Sequence, residues 1–406
     1  MIDAGWPQRS QMLIVIIGFA LALLTGLTLV YASRAGLLPD GPDQFIYDWR
    51  TALLSDAQEE SRDDIAIVIV DEESLDGYPY TSPVDRGLLA SLVRSVDAVR
   101  PKAIGLDFIF DAPTEPAKDA ALAEAVKSAS APVILGSIDD RAAGVRAKNL
   151  KFQGDFLART GRPAGHVFFA DQSNRLTLPD QAVRFMAPPA PKYGQAFAKL
   201  LADIDGKKPE PSTAYIAWLA APKRLASPTF PTFKVPSDRN DDGSPKAEPP
   251  QMAWLQLLKD KIVLIGGGFA DRDRHLTPFS VADNERIPGV FIHAQILAQL
   301  RDGRSIYSFS FWQEVLLAAG IFGVGFLAAQ RWALRRDEWL ASAAIYALLI
   351  LASLGLFWAY RLILPSSTLV IAWPLGLAFG NSYGRLSRRF SRGKFDKSLY
   401  RPAGGS

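Results

Sequence analysis

Long apolar runs with almost no charged residues lie near both ends of the chain, and charged, proline-rich sequence fills the middle. Residues 12–32 contain no charged side chain, and as a helix they would span about 31 Å, the thickness of the hydrocarbon core of a bilayer. Further apolar runs cover residues 309–330, 339–360 and 363–383. The pattern therefore predicts four transmembrane helices, one before the central region and three after it.

Two features of these runs leave alternatives open. The first run is predicted to be an uncleaved anchor because it exceeds the apolar core of most signal peptides, although Val30-Tyr31-Ala32 offers small residues at suitable positions for cleavage. Several glycines in the second and fourth runs either let helices approach closely or are ordinary residues of membrane helices. These glycines are Gly320, Gly323, Gly325, Gly376 and Gly380.

Arginine and lysine predict the orientation, because short loops rich in these residues stay in the cytoplasm. Residues 331–338 carry three arginines. The segment 384–406 carries seven basic residues: Arg385, Arg388, Arg389, Arg392, Lys394, Lys397 and Arg401. With four spans, residues 1–11 are then cytoplasmic as well, and residues 33–308 lie outside the cytoplasm. Attraction to the membrane explains the basic tail, and binding of a partner by the tail is the alternative.

The central region alternates between strand and helix patterns. Short apolar runs rich in β-branched residues lie at Ile65–Val70, 103–110, 132–136, 166–170 and 262–266. They are apolar throughout rather than alternating, as is typical of parallel strands buried on both faces. Apolar residues recur at helical spacing between them, in the segments 88–99 and 122–129. The pattern predicts an α/β fold with a mainly parallel sheet sandwiched by helices.

Nine prolines interrupt this pattern between residues 203 and 250. So many prolines are incompatible with a regular helix or a central strand. We predict that residues 203–250 form an extended surface excursion, and that the chain returns to the sheet at Lys261. Within this segment, residues 240–243 read Asn-Asp-Asp-Gly, which is a plain turn in our interpretation because the remaining ligand spacing of a calcium loop is missing.

Composition excludes several classes of function. The net charge of the 406 residues is only +3, and the basic residues concentrate at one end, so nucleic-acid binding is not expected. The chain has no cysteine, which excludes disulfides, thiolate metal sites and cysteine nucleophiles. A domain of this size can bury a core large enough to fold outside the cytoplasm without disulfides.

Acidic residues stand at or near the ends of two predicted strands. Asp71 directly follows the run Ile65–Val70, and Asp107 lies within the run 103–110. Ligands of open α/β sheets bind at the carboxyl ends of the strands, which makes Asp71 the main candidate for a pocket acid. A buried Asp107 needs a partner such as Arg86 or backbone amides, so a structural network is its favoured role, and ligand binding by Asp107 and Arg86 is the alternative.

The predicted strand 262–266 continues into a loop that is rich in glycine and charge. Its candidate ligand-binding residues are Gly266, Gly267, Asp271, Asp273 and His275. Backbone amides of glycines can bind an anion, but the loop lacks the Lys-Ser/Thr of a phosphate loop, so close chain packing is favoured. The acids and the histidine either line the same edge as Asp71 or belong to a solvated loop held by salt bridges.

The histidines do not predict a metal site. The chain has three, His166, His275 and His293. His293 has apolar neighbours in a helical pattern, which favours a packing role. A zinc site would require the strand-end carboxylates to converge with the histidines, and no contiguous ligand motif predicts this. No nucleophile-elbow sequence predicts a catalytic triad, so we expect no metal, no cofactor and no catalytic residue.

Six segments in order resemble the CHASE2 family, an extracytoplasmic sensory module of bacterial transmembrane receptors. They are Phe45 with Tyr47, Asp48 and Arg50; Ile65 to Asp71 with Glu72 and Ser74; Asp85-Arg86; Ala103 to Phe110; Lys261 to Gly266; and Ile287 to Ala294. The resemblance covers residues 45 to 306, and the family commonly has one helix before the domain and three after it. The tryptophan-proline segment that often precedes the arginine is replaced here by residues 78–83.

The resemblance implies a multi-pass protein of the bacterial inner membrane with a periplasmic sensory domain. Family receptors usually continue into a kinase, cyclase or phosphodiesterase, whereas only residues 384–406 follow the last apolar run. We therefore expect a stand-alone, non-catalytic sensor or scaffold subunit that acts through other envelope or membrane proteins, with a homo-oligomer as the alternative assembly. A purely structural subunit without a ligand is the second hypothesis. An extracytoplasmic hydrolase acting through Asp71 and the His275 loop is the third.

Overall fold

A computed structural model describes residues 8–38, 41–57, 62–140, 144–170, 182–187, 194–206, 208, 210–211, 213–220, 230–237, 252–281, 284–331 and 335–396. The chain divides into two compact units. The helical unit comprises Met1–Tyr47, Ser173–Pro179 and Tyr307–Ser406, and the sheet unit comprises Asp48–Gln172 and Asp180–Ile306. The segment 240–243 lies outside the described residues, as do residues 1–7 and 397–406.

The α-helices and strands follow in chain order. The helices are α1 (Gln8–Arg34), α2 (Gly41–Leu54), α3 (Arg86–Ala98), α4 (Pro116–Ser128), α5 (Ala147–Thr160), α6 (Phe197–Ala202), α7 (Gly289–Asp302), α8 (Phe311–Arg331), α9 (Arg335–Tyr360) and α10 (Ser366–Asp396). The strands are β1 (Asp56–Ala57), β2 (Ile65–Val70), β3 (Ala103–Asp107), β4 (Val133–Ser137), β5 (Ala164–His166), β6 (Phe169–Ala170), β7 (Phe185–Met186), β8 (Leu219–Ala220), β9 (Thr232–Lys234), β10 (Ile262–Gly267), β11 (Arg274–His275), β12 (Ile287–Pro288), β13 (Tyr307–Ser308) and β14 (Leu362–Ile363).

A six-stranded parallel sheet forms the centre of the sheet unit, in the order β5-β4-β3-β10-β2-β9. Ile262 at the start of β10 pairs with Ile65 of β2 on one side and with Ala103 of β3 on the other. The last strand of the sheet to appear in the sequence therefore occupies an interior position. The predicted α/β fold with a mainly parallel sheet is confirmed.

Both faces of the sheet are buried, which explains why its strands are apolar throughout. Alternate residues of a strand point to opposite faces. Val68 and Val263 pack on one face with residues of α3, α4 and α5. Ile67 and Leu264 pack on the other face with residues of α6 and α7. Full burial of one such side chain contributes about 1.5–3 kcal/mol.

The proline-rich segment contributes a strand that the sequence did not predict. β9 pairs with β2 at the edge of the sheet, with Thr232 opposite Ile67 and Lys234 opposite Ile69. The prediction that residues 203–250 stay outside the sheet until Lys261 is therefore wrong. The three residues of β9 stand between Pro231 and Pro236, and an edge strand tolerates flanking prolines because one side of it needs no ladder hydrogen bonds.

The helical unit contains two helical stretches that are long and apolar enough to cross a bilayer. Among the residues described, they are Phe311–Gln330 and Glu338–Tyr360, and Gly18–Arg34 is a shorter apolar helix. The predicted runs 309–330 and 339–360 correspond to the first two stretches. The run 12–32 lies within α1, and α10 covers most of the run 363–383. Two of the four predicted spans thus meet the criteria of length and composition, and four are not confirmed.

Glycines allow α8 and α10 to approach closely. A Cβ added to Gly325 would lie 2.8 Å from the carbonyl oxygen of Trp373. Added Cβ atoms at Gly376 and Gly380 would likewise meet carbonyl oxygens of α8. Gly320 and Gly323 have no such neighbour within 4 Å. Close approach therefore explains three of the five glycines that the sequence singled out, and the other two lie in open positions.

We expect the change Gly325→Ala to lower the stability of the protein in detergent by about 1–3 kcal/mol, because the new methyl group must push two backbones apart. Gly323→Ala is the matched control, since it adds the same methyl group to the same helix in open space. The midpoint of thermal unfolding, followed by circular dichroism in micelles, measures both variants. Equal midpoints for the two variants would contradict the close approach.

Candidate functional site

Four ionisable side chains from distant parts of the sequence meet at the carboxyl edge of the sheet. Asp107 is the last residue of β3, and Asp273 and His275 lie between β10 and α7. His293 lies in α7, four residues after its first residue Gly289. We call these four residues the His–Asp cluster.

The His–Asp cluster has an inner and an outer pair. In the inner pair, Oδ1 of Asp107 lies 3.7 Å from Nε2 of His293, and the two side chains are only 6% and 5% exposed. In the outer pair, Nε2 of His275 lies 3.1 Å from Oδ1 of Asp273, and the side chains are 30% and 48% exposed. The charge of Asp273 acts on Asp107. A solvent-accessible pair is thus electrostatically linked to a buried one.

Two aromatic rings enclose the inner histidine. Phe169 stacks on His293 with ring centroids 4.6 Å apart, and it meets His275 edge-on at 5.1 Å. Phe197 meets His293 edge-on at 5.3 Å. The Phe169 ring therefore contacts a histidine of each pair, and the expected packing role of His293 agrees with these contacts.

The buried setting favours the uncharged forms of both members of the inner pair. Burial, together with the negative charge of Asp273, raises the pKa of Asp107 well above its ordinary value. Burial, together with the nearby His275 and His166, lowers the pKa of His293 to about 3, although a hydrogen bond with the backbone of Val167 acts in the opposite direction. Both shifts therefore act in the same sense, towards a neutral imidazole at His293 and a protonated carboxyl group at Asp107.

The two oxygens of Asp107 differ in their contacts. Its Oδ2 atom is buried and has no hydrogen-bond partner within the described ranges. The other oxygen contacts His293 at a distance longer than a hydrogen bond. A buried polar atom without a partner costs about 1–3 kcal/mol, which a bound hydrogen-bond donor would recover. Asp107 thus contacts His293, as expected for a residue of a structural network, and its Oδ2 atom is available to accept a hydrogen bond from a ligand.

Asp71, the main candidate from the sequence, forms a separate group. Its Oδ2 lies 2.8 Å from Nζ of Lys234, and its Oδ1 accepts hydrogen bonds from the backbone amide and the hydroxyl of Ser74, both at 3.0 Å. Burial would raise the pKa of Asp71, but the hydrogen bonds from Lys234 and Ser74 outweigh it and hold the pKa below its ordinary value. Asp71 is therefore a charged residue that joins β2 to the edge strand β9.

Arg86 also lies apart from the His–Asp cluster. The guanidinium group is 2% exposed, lies 4.5 Å from the centre of the Phe110 ring, and places Nε 3.7 Å from Oδ1 of Asp119. Burial lowers the pKa of Arg86 from its ordinary value, although the charge of Asp119 acts in the opposite direction. Arg86 thus pairs with Asp119 of α4, and Asp107 pairs with His293.

The remaining candidates, Gly266, Gly267 and Asp271, make packing contacts or ion pairs within the protein. A Cβ added to Gly266 would lie 2.6 Å from Cβ of Val290, so this glycine lets α7 approach β10. Gly267 meets the ring of Phe269 in the same way. Asp271 forms an exposed ion pair with Arg272, at 3.0 Å between Oδ1 and Nε. The loop after β10 therefore contains both a solvated ion pair and two members of the His–Asp cluster.

Sequence reasoning identified Asp107, Asp273 and His275 as site residues, but it left out His293 and Phe169. His293 stands in an apolar helical pattern, where nothing in the local sequence distinguishes a site residue from a packing residue. The one available signal was that His293 is among only three histidines in the chain. In the part of the chain that the structure describes, no group of three or more His, Cys, Asp or Glu side chains is placed to hold a metal ion.

Comparisons with known proteins identify the family. No curated protein and no solved structure matches the chain. The model of the CHASE2 domain matches residues 17–329, which is most of the 406-residue chain. This match includes the sheet, the His–Asp cluster and the helices α2 to α7. The chain therefore belongs to the CHASE2 family, whose domains are extracytoplasmic and sensory.

Proposed function

We propose that the protein is a non-catalytic sensor or scaffold subunit of the bacterial inner membrane. Its sheet unit lies in the periplasm and binds a ligand or a protein partner, and the response passes to other envelope or membrane proteins. Family membership supports the sensory and extracytoplasmic part of this proposal. The observation that carries the binding role is the buried Oδ2 of Asp107, which has no hydrogen-bond partner among the described residues and lies beside the accessible Asp273 and His275.

The chemistry of the His–Asp cluster favours a ligand that carries an amine. Asp107 Oδ2 accepts a hydrogen bond and cannot donate one once the carboxyl group is ionised. Asp273 adds a second carboxylate, and the Phe169 ring adds a surface that attracts cations. A protonated amine complements all three groups. Its arrival would lower the pKa of Asp107, because an opposite charge favours the ionised form.

A thermal-shift screen with small primary amines, amino acids and polyamines tests the binding role. We expect at least one compound to raise the unfolding midpoint of the wild-type protein. Asp107→Asn should weaken that binding about tenfold or more, since it removes the charge that the amine meets. Asp271→Asn is the control, because it removes an exposed acid of the same loop. Equal binding by both variants would rule out Asp107 as the ligand contact.

For the membrane, we propose four spans: α1, α8, α9 and the first part of α10. Two of these helices have the length and composition of spans, and α1 contributes a shorter apolar stretch. The basic residues after residue 384 and in the loop 331–338 support a cytoplasmic location for both segments. With this topology the N-terminus is also cytoplasmic and the sheet unit is periplasmic.

A purely structural subunit without a small ligand is the second candidate. The observation in its favour is that three of the residues proposed for ligand binding, Asp71, Arg86 and Asp271, already pair with protein groups. Purification in mild detergent separates the candidates when combined with the screen. A protein that comes out with stable partners and responds to no amine is a structural subunit.

A further inference from the structure

The guanidinium group of Arg86 buries two hydrogen-bond donors along one of its edges. Arg86 is the first residue of α3, and its side chain is only 2% exposed. Its Nε and Nη2 atoms are buried and have no hydrogen-bond partner among the residues that the structure describes. These two atoms form the edge from which a guanidinium group donates two parallel hydrogen bonds to one partner. Arg86 therefore holds a two-donor edge for which the described part of the chain supplies no acceptor.

Arg184 shows how the protein fills the same edge in a structural role. Its Nε and Nη2 atoms donate hydrogen bonds to Asp48, at 2.8 Å and 2.6 Å. By contrast, Nε of Arg86 lies 3.7 Å from Oδ1 of Asp119, which is longer than a hydrogen bond. Asp119 accepts hydrogen bonds from the hydroxyl and the backbone amide of Thr114 instead, at 2.7 Å and 3.1 Å. The pair of Arg86 and Asp119 therefore balances charge without using the two donors, and leaving buried donors unused is costly.

The charges around Arg86 argue against an anionic ligand. Three carboxylates act on the guanidinium group, those of Asp119, Asp111 and Asp85. Lys118 offsets one of them, because its Nζ lies 2.5 Å from Oδ2 of Asp85. The other two carboxylates remain against the single positive charge of Arg86. An added anion would meet repulsion from both of them, so an uncharged hydrogen-bond acceptor fits the two donors better.

Hydroxyl groups match both kinds of polar atom at this place. A hydroxyl oxygen accepts a hydrogen bond from Arg86 while the hydroxyl hydrogen donates one to a carboxylate, whereas a carbonyl oxygen only accepts. Two neighbouring hydroxyls of a sugar ring present two oxygens side by side, as the edge of the guanidinium group requires. The centre of the Phe110 ring lies 4.5 Å from the guanidinium carbon, which limits how far that edge can turn.

We propose that Arg86 anchors a second binding site of the sheet unit, and that this site takes an uncharged polyhydroxyl compound such as a sugar. Nε and Nη2 of Arg86 donate to two neighbouring hydroxyl oxygens, and the carboxylates of Asp119 and Asp111 accept from hydroxyl groups. The first turn of α4 beside Asp119 is accessible to solvent, since the side chains of Glu115 and Lys118 are 43% and 33% exposed. The site is separate from the His–Asp cluster, whose proposed ligand is an amine.

A thermal-shift titration of the full chain with glucose, galactose, mannose and ribose at low millimolar concentration tests this site. The protein is kept in an amine-oxide detergent, because a maltoside headgroup is itself a sugar. We expect at least one sugar to raise the unfolding midpoint of the wild-type protein. Arg86→Lys keeps the positive charge but loses the flat two-donor edge, and it should weaken that binding about tenfold or more. Arg94→Lys changes an exposed arginine of the same helix and should bind like the wild-type protein.

Further variants keep the test decisive if Arg86→Lys fails to fold. Asp111→Asn removes a carboxylate but keeps the size of the side chain, so it should weaken sugar binding. A midpoint that rises with acetate or sulfate and with no sugar overturns the proposal. Equal rises in the wild-type protein and in the Arg86 and Asp111 variants are the general stabilisation that excluded sugars produce, and they overturn it as well. No response to any sugar overturns it and leaves water as the partner of the two donors. Asp107→Asn should keep sugar binding, and its loss would place the sugar at the His–Asp cluster instead.

Discussion

Replacing Asp48 by alanine is expected to lower the free energy of unfolding by about 3–5 kcal/mol. Asp48 and Arg184 form two hydrogen bonds, of 2.8 Å and 2.6 Å, and their side chains are only 9% and 5% exposed. The alanine variant leaves the guanidinium group of Arg184 buried without this carboxylate. The energetic penalty comes from keeping the Arg184 charge buried without this carboxylate more than from the lost attraction between the two groups.

Urea titration of the protein in detergent measures this effect. Asp271→Ala is the control, because the exposed pair of Asp271 and Arg272 should contribute less than about 1 kcal/mol. The double change Asp48→Leu with Arg184→Leu should recover much of the loss, since no buried charge of this pair remains. An Asp48→Ala variant as stable as the Asp271→Ala control would show that the Asp48–Arg184 pair is not buried in solution.

Relative to the wild-type protein, His293→Gln is expected to gain about 2 kcal/mol of stability between pH 7 and pH 5. The pKa of His293 is lowered to about 3 in the folded state, against 6.5 ordinarily. Below pH 6.5, His293 binds a proton in the unfolded chain but not in the folded chain. His293 therefore destabilises the fold increasingly as the pH falls, until the pH reaches the pKa of His293 in the folded state. Glutamine does not titrate and avoids the loss.

The pH profile of the wild-type protein alone would hide this effect. The pKa of Asp107 is raised, so the folded state binds a proton that the unfolded state releases above pH 3.8, and acidification stabilises the fold through this residue. Asp107→Asn should therefore lose stability relative to the wild-type protein as the pH falls, the opposite of His293→Gln. Thermal unfolding of the three proteins at pH 5, 6 and 7 tests both signs, and parallel profiles would contradict the buried inner pair.

Strands of the sheet were predictable where both of their faces are buried. The strands Ile65–Val70 and Ile262–Gly267 are apolar throughout, because a strand that is buried on both faces has buried side chains at every position. The strand Thr232–Lys234 was not predictable, because three residues between prolines carry too little pattern. The order of the strands also escaped prediction, since a run of apolar residues does not encode which neighbour it pairs with.

The site was predictable in part for the same reason. Strand ends and the loop after β10 suggested Asp107, Asp273 and His275 from local sequence. His293 lies 186 positions after Asp107, and only the packing of α7 against β10 brings the two together. Asp71 was the main candidate because it ends a strand, and Arg86 was the suggested partner of Asp107. Their actual partners, Lys234 and Asp119, were not visible in the sequence.

The interior position of β10 has a consequence for how the protein is made. Its neighbours β2 and β3 begin 197 and 159 residues earlier in the chain, at Ile65 and Ala103, and neither can pair with β10 until Ile262–Gly267 has been synthesised. Such non-local pairing slows folding, because the entropy of a long loop is lost before the stabilising contacts between the strands can form. Until then, β2 and β3 each keep one unpaired edge. A chain truncated before residue 262 lacks the strand that joins the two halves of the sheet.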